Sequence, residues 1–360
     1  MYEHPAHPLR SDGGVPPAVD AAGLRLTYAD GTEAVSGVDL TVPRGEFFGF
    51  LGPNGAGKTT VIKVLATLLR PTGGSVSVNG YDVESESRAV RRTIGYMAQE
   101  TSVDEELTAR ENLRFSCEAY GVPKADRADR IDDLLDLVDL ADVADKRADG
   151  FSGGMKKRLD AATALVHRPP LVFLDEPTTG LDPKARNRLW EYFRRINEEG
   201  TTIFLTTQYL EEADQLCDRI AVILDGRIVA TGSPADLKAR VGGDVLELDL
   251  AADDADTLAR AEHVVDESGY LDADATVSRT DSGLNITAER ARRVGTDLLV
   301  ALRDAGIAVE GFEVRSPTLD DVFLAITDGE GAGGAGSDRA AGNGRPTGTT
   351  TAAHDGGEDR

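Results

Sequence analysis

The sequence contains no run approaching the ~20 consecutive apolar residues that a membrane-spanning helix requires. Its N-terminus, MYEHPAHPLRSDGG, carries no basic-plus-apolar leader. The chain is therefore expected to be soluble by itself. Cysteine is nearly absent, with Cys117 and Cys217 the only two in 360 residues and no C-x-x-C pair. That argues against a disulfide framework or a cysteine-based zinc site and suits a reducing compartment. Positive charge is scarce too: 39 Lys+Arg face 63 Asp+Glu, a formal net charge of −24, and arginine supplies most of the bases. Such a surface repels phosphate backbones, so no nucleic-acid partner is expected. A dense carboxylate shell with little lysine is tolerated best where high salt screens self-repulsion, and a halophilic source is the expectation. His4 and His7, in a Pro-rich lead, read as solvated side chains rather than metal ligands.

What is present is an alternation of strand and helix patterns. A β-rich stretch runs from AGLRLTYADG to EFFGFLG, and TTVIKVLATLLR then reads as a helix stopped by PTGG. Between about residues 100 and 168 apolar residues recur at three- and four-residue spacing, which predicts an inserted helical subdomain. LVFLDEP and TTIFLTT read as buried strands, WEYFRRINEEG as a helix stopped by glycine, and IAVILDGRIVATG as an Asp-Gly hairpin. This predicts an α/β fold with a mainly parallel sheet over 18–240. A composition shift at VGGD opens a small α+β domain over 244–327, ending in the helix LDDVFLAIT. Residues 1–17 and 328–360 lack apolar periodicity and read as disordered tails.

Three stretches carry chemistry. GPNGAGKT (Gly52, Pro53, Asn54, Gly55, Ala56, Gly57, Lys58, Thr59) fits G-x-x-x-x-G-K-[ST] between a predicted strand and the predicted helix TTVIKVL, and Thr60 beside it is a further candidate nucleotide contact. Glycines there let backbone N–H groups close around an anion, Lys58 can reach the β/γ-phosphates, and the Thr59 hydroxyl can hold Mg2+. LVFLDEP delivers Asp175 to the carboxyl end of a strand, where it can hold Mg2+, and Glu176 beside it can polarise an attacking water. FSGGMKK opens a helix with Ser152 as N-cap and two bare glycines, Gly153 and Gly154. One nucleotide is already served by the first motif, so a second phosphate-binding helix start is surplus for a monomer.

Together these motifs resemble the nucleotide-binding domain of ATP-binding cassette (ABC) transporters, a P-loop NTPase fold with an inserted helical subdomain. GPNGAGKT is similar to that family's Walker A, LVFLDEP to its Walker B, and FSGGM to its signature, usually written LSGGQ. GLDP, with Asp182, is similar to the D-loop, Gln99 to the Q-loop glutamine at the catalytic and Mg2+ site, and Tyr28 to the aromatic that stacks on adenine. The resemblance implies ATP and Mg2+ as ligands and a head-to-tail pair of such domains, which one chain with every motif allows as a homodimer. In that pair Ser152, Gly153, Gly154 and Met155 would serve the partner's ATP.

Two departures from the family pattern bear on the chemistry. Met155 replaces the usual signature glutamine, and Gln208 stands where a histidine usually contacts the γ-phosphate. Glutamine keeps a donor and an acceptor but cannot become cationic. TTQYLEEAD, together with SPTLDDVFLAIT (Ser316–Thr327), resembles the daunorubicin-resistance-type ATPases. That resemblance implies an exporter of drug- or lipid-like cargo with a separately encoded ABC-2-type permease, and a chain held at the cytoplasmic face of the membrane through it. Two rivals follow from the same residues: a soluble ABC ATPase outside transport, and an ATP-gated binding or regulatory module with weak hydrolysis. Trp190, in a predicted helix, reads as packing.

Overall fold

The computed structural model describes residues 14–333, apart from 253, 273, 274 and 281. His4, His7 and most of the two expected tails lie outside the described residues.

The chain begins with an antiparallel layer built from β1 (Val19–Thr27), β2 (Glu33–Val42), β4 (Gly73–Val78) and β5 (Tyr81–Asp82), in the order β2-β1-β4-β5. Interposed are β3 (Phe47–Leu51) and α1 (Lys58–Leu65). After β5 come α2 (Ser87–Arg92), β6 (Ile94–Met97) and three helices: α3 (Ala109–Ala119), α4 (Arg127–Leu137) and α5 (Gly153–Thr163). The chain then returns through β7 (Leu171–Asp175), α6 (Pro183–Glu198), β8 (Thr202–Thr207), α7 (Leu210–Leu216), β9 (Arg219–Leu224), β10 (Arg227–Gly232) and α8 (Pro234–Ala239).

The central sheet has the order β10-β9-β3-β8-β7-β6, and β3, β8, β7 and β6 run parallel. Every residue of β3, β7 and β8 is buried. That is why FFGFL, LVFLD and TIFLTT read as unbroken apolar or β-branched runs rather than as alternation. Phe204 locks the sheet centre, its ring centroid 5.3, 5.7 and 5.5 Å from those of Phe48, Phe50 and Phe173. One face of the sheet packs on the antiparallel layer and α1, the other on the helical block. Parallel strands present their C-terminal ends along one edge, which makes that edge the crevice for ligands.

Local signals behave as their chemistry predicts. The Asp225-Gly226 turn has φ 44° and 74°, the double left-handed geometry of a tight hairpin. Gly200 ends α6 at φ 97°. The helix expected across TTVIKVLATLLR stops earlier, at Leu65. Thr67 turns left-handed (φ 63°), and the amides of Leu68 and Leu69 both donate back to the Lys63 carbonyl.

The C-terminal part contains β11 (Asp244–Leu250), α9 (Ala255–Glu267), β12 (Thr276–Arg279), β13 (Gly283–Ala288), α10 (Ala291–Asp304), β14 (Val309–Arg315) and α11 (Leu319–Gly333). Its antiparallel sheet, β12-β13-β11-β14, shares a core with α9 and α10 around Leu246, Leu248, Leu284, Ile286 and Leu298. α11 leaves that core. Leu319 and Val322 are buried with Leu216, Leu237 and the helical block, so α11 packs against α7 and α8. Arg315 pins the crossing, reaching Glu247 on β11 at 2.7 Å and Asp321 on α11 at 2.6 Å.

Candidate functional site

Four neighbouring strand ends build the site. Gly52–Thr60 follow β3, Thr206–Gln208 close β8, Asp175 and Glu176 close β7, and Gln99 follows β6. The loop after β3 must pass close to other backbone. A Cβ at Gly52 would lie 2.4 Å from the Ile223 carbonyl oxygen, and one at Gly57 would lie 2.5 Å from that of Ala34. Gly57 also sits at φ 104°, where a side chain is strained. As N-cap of α1 it offers no side-chain acceptor, so the helix's first amides are left for an anion.

Lys58 is 4% exposed, and its Nζ donates to the carbonyls of Gly52 (2.7 Å) and Pro53 (3.0 Å). It also pairs with Glu176 Oε1 at 3.2 Å. Glu176 accepts a second bond, from Gln99 Nε2 at 3.3 Å, so three predicted site residues meet on one carboxylate. The Glu176 backbone is left-handed, φ 48°, a conformation that costs a non-glycine residue about 1–2 kcal/mol. Its amide is held there by the Thr206 carbonyl (3.0 Å) and hydroxyl (3.2 Å).

Asp175 is 1% exposed. Burial pushes its proton affinity up, and hydrogen bonds from Thr206 and Thr59 oppose that. The Thr206 hydroxyl donates to Asp175 Oδ1 at 2.6 Å, and Thr59 Oγ1 approaches the same oxygen at 3.4 Å. Burial, aided by the Asp175 charge, also pushes the Tyr96 phenol up to about 12. Asp175, Thr59 and the Gln99 amide are hard oxygen donors, and a buried carboxylate short of compensating charge is the environment a divalent cation satisfies. Mg2+ fits this donor set. Tyr28 stands beside the loop with its ring half exposed and its hydroxyl 2.9 Å from Thr60 Oγ1.

The remaining predicted residues form a second group. Ser152 caps α5 by accepting from the Met155 amide at 3.3 Å. Gly153 has open space where a Cβ would stand, and a Cβ on Gly154 would come 2.9 Å from that of Ala185. Asp182 caps α6 through the Ala185 amide at 2.9 Å, so the SGGM and GLDP starts lie side by side. Met155 is half-buried against the helical core. Gln208 is half-buried at the end of β8, where the Thr207 carbonyl receives the Gly52 amide.

Sequence reading missed the residues that link these groups. Lys157 on α5 donates to the Gln99 carbonyl, and Asp160 accepts from the amide (3.1 Å) and hydroxyl of Ser102. α5 thereby grips the segment after β6. Burial lowers the proton affinity of Lys157 and raises that of Asp160. An acidic residue on the apolar face of a predicted helix was the available signal for Asp160; nothing local marked Lys157. Thr206 was likewise unmarked. Trp190 packs as expected, but its indole also donates to Glu212 at 3.0 Å. Both cysteines are buried, and burial raises the proton affinity of each thiol, so neither is activated.

The chain is similar to known proteins along most of its length. A family described as "ABC transporter" matches residues 35–179, and one described as "ATP-binding protein DrrA1-3-like, C-terminal domain" matches 232–327. The chain is 44% identical over 316 residues to the daunorubicin/doxorubicin resistance ATP-binding protein DrrA of Streptomyces peucetius, covering 86% of this chain and 92% of that one. It is 34% identical over 310 residues to the linearmycin resistance ATP-binding protein LnrL of Bacillus subtilis, covering 86% and 98%. Among solved structures, an ATP-binding subunit of an ABC transporter aligns with TM-score 0.57 and 33% identity over 62% of this chain and 92% of that one. A dimeric ATP-binding cassette in a post-hydrolysis state, bound to ADP and Pi, aligns with TM-score 0.55 and 27% identity over 60% and 98%.

Proposed function

The chain belongs to the ATP-binding subunits of ABC transporters, in the daunorubicin-resistance (DrrA) family, and from that premise we propose that it is the motor of an exporter for drug- or lipid-like cargo. It works as a head-to-tail dimer and drives a separately encoded ABC-2-type permease. The observation that carries the hydrolytic part is the convergence of Lys58, Gln99 and Glu176 beside Asp175 and Thr59, all at adjacent strand ends.

The residues divide the work as follows. ATP lies over the amides that open α1, with Tyr28 against its base and Lys58 on the β/γ-phosphates. A phosphoryl oxygen that takes the Lys58 ammonium frees Glu176 from its ion pair, and the carboxylate then polarises a water for attack on the γ-phosphorus. Thr59, Asp175 and Gln99 would hold Mg2+, which neutralises charge on the phosphate oxygens when bound. Gln208 orients the water and the γ-phosphate through its amide. Ser152, Gly153, Gly154 and Met155 serve the ATP of the partner domain, which supports the dimer because the SGGM start stands with Asp182 rather than in the Lys58–Glu176 cluster.

A cleft of about 1170 Å3 between α2 and the helical block supports permease docking. Arginines 88, 91 and 92 line it on one side, and Asp126, Asp129 and Asp133 on another. Tyr120, just past α3, lines it as a partly exposed aromatic. The chain would then sit at the cytoplasmic face of the membrane through its partner, since no described helix is long and apolar enough to cross one.

The test is steady-state Mg-ATP hydrolysis by wild type, Glu176→Gln and Gln208→His in high salt. Wild-type turnover that vanishes in Glu176→Gln is the expected result. ATP binding without turnover, rescued by Gln208→His, would replace the motor with an ATP-gated regulatory module.

A further inference from the structure

α6 begins directly after Asp182, and α7 begins two residues after Gln208. The two helices meet along a stripe of three α6 residues spaced four apart. Arg186 reaches Glu211 at 3.6 Å, the Trp190 indole donates to Glu212 Oε1 at 3.0 Å, and Arg194 donates to the Gln215 carbonyl at 3.2 Å. The outer two rungs are partly or largely exposed. The middle one is sealed, with Trp190 5% and Glu212 0% exposed.

A carboxyl group is a costly choice for a sealed helix–helix contact, where an apolar side chain would pack without desolvation. Burial raises the proton affinity of Glu212. Four neighbours oppose this: the Thr207 hydroxyl, the Trp190 indole, the Thr178 hydroxyl and the Arg186 guanidinium. Those neighbours locate the group. Thr207 is the residue before Gln208, and Thr178 lies two residues past Glu176 in the loop that leads to Asp182. Both threonines are buried. Glu212 Oε2 and Thr178 Oγ1 are buried and make no hydrogen bond, so each keeps capacity for one.

We propose that Glu212 is a positioning residue for ATP hydrolysis, fixing the loop behind Glu176 and the strand end ahead of Gln208 relative to one another through its bond from Trp190 and its packing against Thr178 and Thr207. The two groups that face the attacking water then share one frame, and the α6 end that carries Asp182 belongs to it. A filler of the α6–α7 contact would need neither a carboxyl group nor neighbours from the loops on both sides of the reaction centre. The inference rests on the hydrolytic reading above.

The experiment measures kcat, KM and nucleotide affinity of the full-length chain as wild type, Glu212→Ala, Glu212→Gln and Trp190→Phe. Glu212→Ala should lower kcat by about tenfold or more while KM and nucleotide affinity change by less than about twofold. Glu212→Gln should stay within about threefold of wild type, because an amide oxygen still accepts from the indole. Trp190→Phe should lower kcat as Glu212→Ala does, and the double variant Trp190→Phe/Glu212→Ala should be no slower than the slower single, as expected of one device. A normal kcat in Glu212→Ala overturns the proposal, and so does a parallel loss of kcat and nucleotide affinity. If Glu212→Ala does not fold, a wild-type kcat in Trp190→Phe overturns it instead. A wild-type chain that binds Mg-ATP without turnover removes the hydrolytic reading itself, a result distinct from the others.

Discussion

Replacing Lys58 by methionine keeps the aliphatic stem and deletes the ammonium. In the folded chain that ammonium faces Glu176 at 3.2 Å, and the two side chains are 4% and 7% exposed. At an effective dielectric of about 20, opposite charges at that distance attract by about 5 kcal/mol, most of which offsets their desolvation. Removing one partner leaves the desolvation without the attraction. Glu176 retains one polar donor, Gln99 Nε2. Lys58→Met should therefore lower the unfolding free energy by about 3 kcal/mol, at the modest end of the range for a broken buried pair. Glu176→Gln in the same background removes the stranded charge, so Lys58→Met/Glu176→Gln should recover at least about half of that loss. Urea unfolding of wild type, both singles and the double in one high-salt buffer gives the coupling energy directly. Hydrolysis should be absent from all three variants, because stability can be recovered without the phosphate's cation. Strictly additive stabilities, or a Lys58→Met chain as stable as wild type, would refute the argument that this pair is held together against its desolvation.

Three further outcomes follow from the geometry. Thr206→Val is close to isosteric but strips Asp175 of its 2.6 Å donor and the Glu176 amide of its hydroxyl acceptor. It should cost about 1.5–3 kcal/mol and raise the Mg2+ concentration needed for half-maximal turnover, and an unchanged Mg2+ titration would count against the Asp175 assignment. His167 lies stacked on Tyr120 (4.0 Å, 3°), and burial lowers its pKa from 6.5 to about 4. The unfolded chain binds this proton first, so the stability from keeping His167 neutral is complete above pH 6.5 and lost as pH falls towards 4. The loss amounts to about 3 kcal/mol, and His167→Phe should flatten that slope in unfolding midpoints between those pH values. With a net charge of −24, the unfolding midpoint should rise as KCl goes from about 0.1 to 1 M and the screening length falls from about 10 to 3 Å. A midpoint indifferent to salt would remove the argument from the acidic surface.

The parts of the site legible in the sequence were those where chemistry fixes a residue and its immediate neighbours. GPNGAGKT needs its glycines because Ile223 and Ala34 carbonyls crowd the loop, and LVFLD and TIFLTT announce their burial by lacking alternation. Links between distant segments were not legible. Lys157 and Asp160 on α5 reach the segment after β6 across more than fifty residues, and Thr206 looks like any β-branched strand residue. The early end of α1 depends on a left-handed threonine, which no propensity predicts. LDDVFLAIT showed its amphipathic face but not which core that face enters, because periodicity reports a stripe and not its partner.

That last helix has a consequence for synthesis. Leu319 and Val322 complete a wall of the core that also holds Leu216 and Leu237, yet the β11–β14 unit is made in between. From the end of α8 at Ala239 to Leu319 a ribosome must add about eighty residues, roughly 4–16 s at about 5–20 residues per second. Through that interval the seam beside α7 and α8 is complete in backbone but uncovered, with apolar side chains facing water. The nascent chain thus has a timed window in which a chaperone, or a second nascent copy, can reach a surface that the finished protein hides. Slowing translation within residues 240–318 lengthens that window without changing a single contact of the folded state.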